Sequence, residues 1–151
     1  MKVAQVRAVL FAKDLEGLTA FYAGALGMTQ SFADADHAVL HCGGFELIVH
    51  RIPKHIAATI AIKQPPERRV GSAVRLDYPV ASIEASRSRA RALGGDIDEA
   101  PPAWADGSST FFFGYDPEGN QFGVSSSLRS GPSPSLTGCT PRISPPGAQI
   151  V

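Results

Sequence analysis

The chain has 151 residues, of which 44% are hydrophobic, and its 14 basic and 14 acidic residues give a formal net charge of zero. This length suits one domain or two small modules that share a core, and the hydrophobic share excludes a largely disordered chain. A neutral chain lacks the basic surface on which nucleic-acid binding depends. We therefore expect a folded protein with no nucleic acid among its partners.

The sequence shows no pattern typical of a disulfide framework, a cysteine metal knuckle or a membrane span. Cys42 and Cys139 lie far apart and form no Cys-x-x-Cys motif. No apolar run approaches the roughly 20 residues that cross a bilayer. The first ten residues contain Lys2 and Arg7 but no continuous signal-peptide core. These observations predict a soluble, cytoplasmic protein without a membrane partner.

The first half of the chain predicts the element order β-α-β-β-β. Residues 3–12 alternate loosely between apolar and polar side chains, which indicates a strand. Asp14 is placed to cap the helix that follows, and Gly27 to end it in the left-handed conformation that glycine adopts readily. Three further strand-like runs follow, at residues 29–32, 37–42 and 45–51.

The second half predicts the same order of elements after a connecting segment. A strand is expected at residues 73–78, Ser82 is placed to cap the next helix, and Gly94 to end it. A loop rich in Pro and Ala then leads to Asp-Pro-Glu-Gly at residues 116–119, which suits a tight turn. The segments on either side of this turn predict a β-hairpin with arms at residues 110–115 and 120–125.

The two halves together form an internal repeat of about 68 residues, since Asp14 aligns with Ser82 and residues 44–49 align with residues 119–124. The composition changes after residue 127 to a segment rich in Pro, Ser and Gly, which predicts a flexible tail. The predicted organisation is one domain at residues 1–127, made of a module at about 1–52, a connection at 53–72 with a short helical turn at 56–60, and a module at about 73–127, with the tail at 128–151.

Two local motifs connect this organisation to a known family. Phe21-Tyr22 is followed by Leu26-Gly27 at the end of the first helix, and Asp-Pro-Glu-Gly-Asn at residues 116–120 closes the second module. Paired βαβββ modules with these motifs resemble the vicinal oxygen chelate superfamily, which includes glyoxalase I, bleomycin-resistance proteins, fosfomycin-resistance enzymes and extradiol dioxygenases. The resemblance covers residues 3 to about 127. It implies an α+β fold whose curved mixed sheets surround a cup-shaped cavity, and a homodimer.

The resemblance also locates the positions that bind metal in the family's enzymes. These positions carry His or Gln on the first strand of each module, seven residues before the helix cap, and Glu on the last strand. In this sequence they fall on Arg7, Ile48, Arg75 and Gly123. A guanidinium group offers no lone pair to a metal, and Ile and Gly have no donor side chain. A shift of one residue reaches only non-ligating neighbours, so we expect neither a metal nor another cofactor.

The same positions predict the lining of the cavity, because residues two apart on a strand share a face. The loop residue Trp104 is added because it could close over a ligand. An aromatic and aliphatic pocket with few polar groups suits a small organic molecule. The predicted ligand-binding residues are Arg7, Val9, Phe11, Glu46, Ile48, His50, Arg75, Asp77, Trp104, Phe111, Phe113 and Gln121.

The polar residues of this predicted cavity leave two alternatives open. Arg7 and Arg75 either bind an anionic group of the ligand or are neutralised by Glu46 and Asp77. His50 shares a strand face with Glu46 and is a candidate general base or a hydrogen-bonding group at the rim. The remaining histidines are not assigned to the site; His37 and His41 share a strand face at a spacing too long for obvious joint chelation.

The sequence therefore predicts a metal-free protein that sequesters a small organic ligand. In one version of this prediction the ligand is anionic. Two enzymatic alternatives stay open on the same fold. One is a glyoxalase-like lyase or a dioxygenase whose metal ligands lie elsewhere in the chain. The other is an enzyme that uses acid/base chemistry without a metal, with His50 and Glu46 as catalytic residues.

Overall fold

The computed structural model describes residues 5–105 and 110–126, and the predicted tail lies outside the described residues. The described part of the chain contains eight strands and three helices. In chain order these are β1 (Val6–Ala12), α1 (Leu15–Gly24), β2 (Thr29–Ala33), β3 (His37–Cys42), β4 (Phe45–Arg51), α2 (Lys54–Ala57), β5 (Leu76–Val80), α3 (Ile83–Ala92), β6 (Asp96–Ile97), β7 (Phe111–Tyr115) and β8 (Gln121–Ser126).

The strands form two open four-stranded sheets with the same topology. The strand order is β1-β4-β3-β2 in the first sheet and β5-β8-β7-β6 in the second. The pairs β1–β4 and β5–β8 are parallel, and the remaining pairs are antiparallel. The predicted internal repeat and the α+β fold with mixed sheets are thereby confirmed.

Both long helices begin at the residues that the sequence indicates. Asp14 accepts a hydrogen bond from the backbone N–H of Gly17 at 3.0 Å, and Ser82 accepts one from that of Ala85 at 3.2 Å. Each bond satisfies one of the backbone donors that the first turn of a helix leaves unpaired. The caps therefore fix where the chain turns from the first strand of each module into its helix.

Three details differ from the sequence-based expectation. The fifth strand begins at Leu76 rather than at residue 73, and the short helix α2 lies at Lys54–Ala57 rather than at residues 56–60. The βαβββ order requires a strand between the second helix and the hairpin but does not locate it, and in the structure this strand, β6, has only two residues. Its residues, Asp96 and Ile97, are recognisable as a strand only through their pairing with β7, because two residues are too few to show an alternating pattern.

The two modules share one hydrophobic core. Helix α1 packs on the first sheet and α3 on the second, but aromatic side chains of α1 also contact the second module. The ring of Phe21 lies 5.8 Å from that of Phe122, and the ring of Tyr22 lies 5.8 Å from that of Tyr78. Because the helices cover one face of each sheet, the alternate residues of the strands are left on the opposite face.

None of the helices in the described ranges has the length and apolar character that a membrane crossing requires.

Candidate functional site

The first sheet has a face that points away from the helices, which we call the first open face. On β1 the side chains of Val9 and Phe11 are 49% and 61% exposed, whereas the neighbouring Ala12 is fully buried. The register of the strands places the other members of this face opposite them. The first open face consists of Arg7, Val9, Phe11, Ser31, Phe32, His37, Val39, His41, Glu46, Ile48 and His50.

These side chains form three rows that cross the strands. Pairing between neighbouring strands aligns a polar row, an aliphatic row and a row of rings. The central triplets of the rows are Arg7, Glu46 and His41; Val9, Ile48 and Val39; and Phe11, His50 and His37.

The polar row is a continuous chain of charged and hydrogen-bonding groups. Arg7 Nε lies 3.0 Å from Glu46 Oε1, and His41 Nε2 lies 4.0 Å from Glu46 Oε2. The same His41 nitrogen is 2.7 Å from the hydroxyl of Ser31. The Glu46 side chain is only 13% exposed, so the arginine compensates a carboxylate that is largely removed from solvent.

The ring row runs across all four strands of the first sheet. The ring of Phe11 lies 5.9 Å from that of His50, which lies 6.1 Å from that of His37. The His37 ring in turn lies 5.1 Å from Phe32. The two phenylalanines at its ends are 61% and 47% exposed, so the row presents apolar surface that a bound molecule would remove from water.

The second sheet presents a corresponding face, the second open face, formed by Arg75, Asp77, Phe111, Phe113, Gln121 and Gly123. Arg75 donates two hydrogen bonds to Asp77, of 2.7 and 3.0 Å, and these bonds raise the pKa of the guanidinium group. Its guanidinium carbon also lies 5.1 and 4.8 Å from the ring centroids of Phe111 and Phe113. Arg75 is thus held by a carboxylate and by two aromatic rings.

Trp104 lies over the rings of the second open face. Its ring centroid is 5.6 Å from that of Phe111 and 6.3 Å from that of Phe113. The side chain is nevertheless 68% exposed. Trp104 therefore has a large surface available for a further contact.

A groove of about 200 Å³ lies between the edge strands β1 and β5, and Val9 and Gln121 both line it. A larger cavity of about 480 Å³ is lined by a different set of residues, among them Lys13 and Glu118. That cavity contains none of the predicted site residues. The predicted residues thus gather on the two open faces, and their contact with a ligand stays a prediction.

The four positions that bind metal in the family's enzymes do not fit a metal here. Arg7 and Arg75 are each engaged by a carboxylate, and Ile48 has no donor atom. At Gly123 an added Cβ would lie 2.3 Å from Asp77 Oδ1 and 2.5 Å from Phe111 Cζ. Across residues 5–105 and 110–126, no cluster of three or more His, Cys, Asp or Glu side chains is placed to hold an ion.

The structure changes which histidine accompanies Glu46. The predicted catalytic pair was His50 and Glu46, but the imidazole beside Glu46 belongs to His41. His50 lies in the ring row, where its Nδ1 is 3.0 Å from the carbonyl oxygen of Arg51. Sequence reasoning also missed Ser31, which contacts His41. A two-residue turn at Gly43-Gly44 was the available signal, because counting outward from it pairs residue 41 with residue 46.

Comparison with known proteins agrees with this geometry. The model of the glyoxalase-like domain family matches residues 7–125, and no curated protein sequence matches the chain. Many solved structures share the fold. Among them are a glyoxalase/bleomycin resistance protein from Albidiferax ferrireducens (21% identity, 80% of this chain and 96% of that chain, TM-score 0.56), the fosfomycin resistance protein FosX from Listeria monocytogenes (17%, 85% and 94%, 0.58) and lactoylglutathione lyase from Agrobacterium tumefaciens (23%, 83% and 95%, 0.51).

The repeated modules, the sheet topology and the family match over residues 7–125 lead to one conclusion. The chain belongs to the glyoxalase-like domain family, within the vicinal oxygen chelate superfamily.

Proposed function

We propose that this protein binds a small organic molecule on its open faces and sequesters it without a resident metal, as a binding protein of the glyoxalase/bleomycin-resistance type. The observation that carries the proposal is that the family's metal positions hold residues that do not bind a metal. Two of them hold arginines that are paired with carboxylates, and a third, Gly123, lies under Phe111 and Asp77. A surface of this kind is suited to binding an organic ligand through side-chain contacts rather than to Lewis-acid chemistry.

The ligand class follows from what the open faces offer. The aromatic side chains Phe11, Phe32 and Trp104 are all about half exposed or more, whereas each arginine already has a carboxylate partner. An anionic ligand would compete with Glu46 or Asp77 for the guanidinium groups and would be repelled by these carboxylates. We therefore favour an uncharged ligand with an aromatic or aliphatic body over the anionic version.

Two copies of the chain would enclose such a ligand better than one. Each open sheet provides half of a cup, and the apolar surface at Val9, Phe11 and Trp104 is exposed in a single chain. We expect a homodimer in solution, with a mass near twice 15.9 kDa by light scattering at micromolar concentration. A monomeric mass would mean that the ligand site lies within one chain.

The ligand-binding proposal predicts a dependence on the ring row. Thermal-shift screening should compare each uncharged aromatic probe with its carboxylate counterpart, for example benzamide with benzoate. A probe at 100 times its Kd adds about 2.7 kcal/mol of stability, which is enough to measure. We expect uncharged probes to stabilise more than the carboxylates, and Phe11→Ala to weaken their binding about tenfold.

The matched control is Val70→Ala, which shortens an apolar side chain that is 80% exposed outside both open faces. It should leave probe binding unchanged. A preference for the carboxylate that disappears in Arg75→Met would support the anionic alternative instead. Elemental analysis that finds one metal ion per chain as purified, after removal of any affinity tag, would contradict the metal-free part of the proposal.

One observation favours a second candidate, an enzyme with metal-independent acid/base chemistry. The 2.7 Å contact between Ser31 and His41 Nε2, with Glu46 nearby, resembles the start of a nucleophile–base pair. However, the same nitrogen faces both the hydroxyl and the carboxylate, so the glutamate does not orient the second ring nitrogen. Labelling by a serine-reactive fluorophosphonate that is lost in Ser31→Ala, but retained in Ser125→Ala, would establish this candidate.

A further inference from the structure

His37 and His50 form a close pair on the first open face. They lie directly opposite each other on the antiparallel strands β3 and β4. Their ring centroids are 6.1 Å apart and their planes differ by only 16°. The pair is thus preformed by the pairing of two strands.

Both rings are held through the same nitrogen, Nδ1. In His50, Nδ1 lies 3.0 Å from the carbonyl oxygen of Arg51, which can only accept a hydrogen bond. In His37, Nδ1 lies 3.0 Å from Asp34 Oδ1. That oxygen also accepts 2.8 Å hydrogen bonds from the backbone N–H groups of Asp36 and His37, which hold the Asp34 side chain in place.

This arrangement fixes where the lone pairs of the two imidazoles are. When Nδ1 donates its proton to an oxygen, the neutral ring carries its lone pair on Nε2. Metal-binding histidines show the same arrangement, in which the nitrogen that does not bind the metal donates to a carbonyl or a carboxylate. Among the described residues, neither Nε2 atom of this pair has a hydrogen-bond partner.

We propose that His37 and His50 together bind one transition-metal ion through their Nε2 atoms, at a site separate from the family's metal positions. Imidazole nitrogens are suitable ligands for Zn²⁺, Ni²⁺ and Cu²⁺. With metal–nitrogen bonds of about 2.0–2.1 Å, two imidazoles at a tetrahedral angle have centroids about 5 Å apart. The two rings lie 6.1 Å apart in planes that differ by 16°. To bind one ion they must approach by roughly 1 Å and turn until both Nε2 atoms point at it, which requires changes in side-chain torsion angles only.

The ion at this site is exchangeable rather than resident. The described residues provide only the two imidazoles, so the remaining coordination positions belong to water or to donor atoms of a molecule bound on the open face. The site is therefore compatible with a protein that is purified without metal. It also stands independently of the proposed function, because it depends only on the geometry of the histidine pair.

The test is a calorimetric titration of Ni²⁺ into the full chain, free of any polyhistidine tag, in a buffer that does not chelate. We expect one ion per chain, and at least tenfold weaker binding in His37→Gln and in His50→Gln. Asp34→Ala should weaken binding about tenfold, because it removes the oxygen that orients His37. The electron paramagnetic resonance spectrum of bound Cu²⁺ should show two coupled imidazole nitrogens, and one fewer in each histidine variant.

His55→Gln is the matched control, because His55 lies on helix α2 and not on a strand of either open face. It should bind Ni²⁺ as the unchanged chain does, and all variants should keep the same far-ultraviolet circular dichroism. The proposal is overturned if no binding occurs at millimolar Ni²⁺, or if binding survives in His37→Gln and His50→Gln. Equal weakening in His55→Gln or His41→Gln would also overturn it, because the ion would then depend on other histidines.

Discussion

Replacing Asp116 with alanine should lower the free energy of unfolding by about 3–5 kcal/mol, because it leaves several buried donors without an acceptor. The Asp116 carboxylate is fully buried. It accepts hydrogen bonds from the Tyr22 hydroxyl at 2.9 Å, from the Asn120 side chain at 2.8 Å, and from the backbone N–H groups of Glu118 and Asn120 at 2.9 and 3.0 Å. Urea unfolding of both proteins at neutral pH measures the difference.

Tyr22→Phe is the matched control, since it removes only one of these four hydrogen bonds. We expect it to cost about 1 kcal/mol, because the donor and its desolvation are removed together. Burial and the neighbouring Asp116 carboxylate hold the pKa of Tyr22 well above its ordinary value, so the hydroxyl stays a donor at neutral pH. If Asp116→Ala costs no more than Tyr22→Phe, the carboxylate is not the centre of this network.

The turn that contains Asp116 also joins the two modules through Glu118. The Glu118 carboxylate accepts hydrogen bonds from the backbone N–H groups of Lys13 and Asp14, at 3.1 and 2.7 Å. Those groups lie just before helix α1 of the first module. The sequence predicts the turn from its Asp-Pro-Glu-Gly residues, but not these partners, which lie more than 90 residues away along the chain.

Most of the fold could be predicted because its signals are local and occur twice. Asp14 and Ser82 cap corresponding helices, and the alternation of side chains identifies the strands on both sides of each cap. The sequence gives no such signal for β6, whose two residues are defined by pairing with β7. Where the chain has a periodic pattern or a cap, local physics determines the element; where it has neither, tertiary contacts do.

The candidate site was predictable along each strand but less so across strands. Alternation correctly places Arg7 with Val9 and Phe11, since it depends only on the period of two. The neighbours of Glu46 depend on strand register instead, and the tight turn at Gly43-Gly44 sets that register so that His41 lies opposite Glu46. Contacts between strands that no short turn connects, such as that between Asp77 on β5 and Gly123 on β8, have no sequence signal of this kind.

Introducing the family's metal-binding glutamate at its second-module position should destabilise this protein strongly. We expect Gly123→Glu to lower the free energy of unfolding by about 3 kcal/mol or more, because overpacking a filled site costs 1–3 kcal/mol before any charge repulsion is counted. Even the Cβ would lie 2.3 Å from Asp77 Oδ1 and 2.5 Å from the Phe111 ring. The new carboxylate would also face that of Asp77.

The internal repeat provides the matched control for this substitution. Ile48 occupies the corresponding position in the first module, on a half-buried face between Val9 and Val39. Because a side chain already occupies that space, Ile48→Glu should cost only about 1 kcal/mol of lost apolar burial. Denaturant unfolding of both variants gives the comparison. Equal costs would mean that Phe111 and Asp77 move aside easily, and the second open face would then be an adaptable pocket rather than one filled by its own side chains.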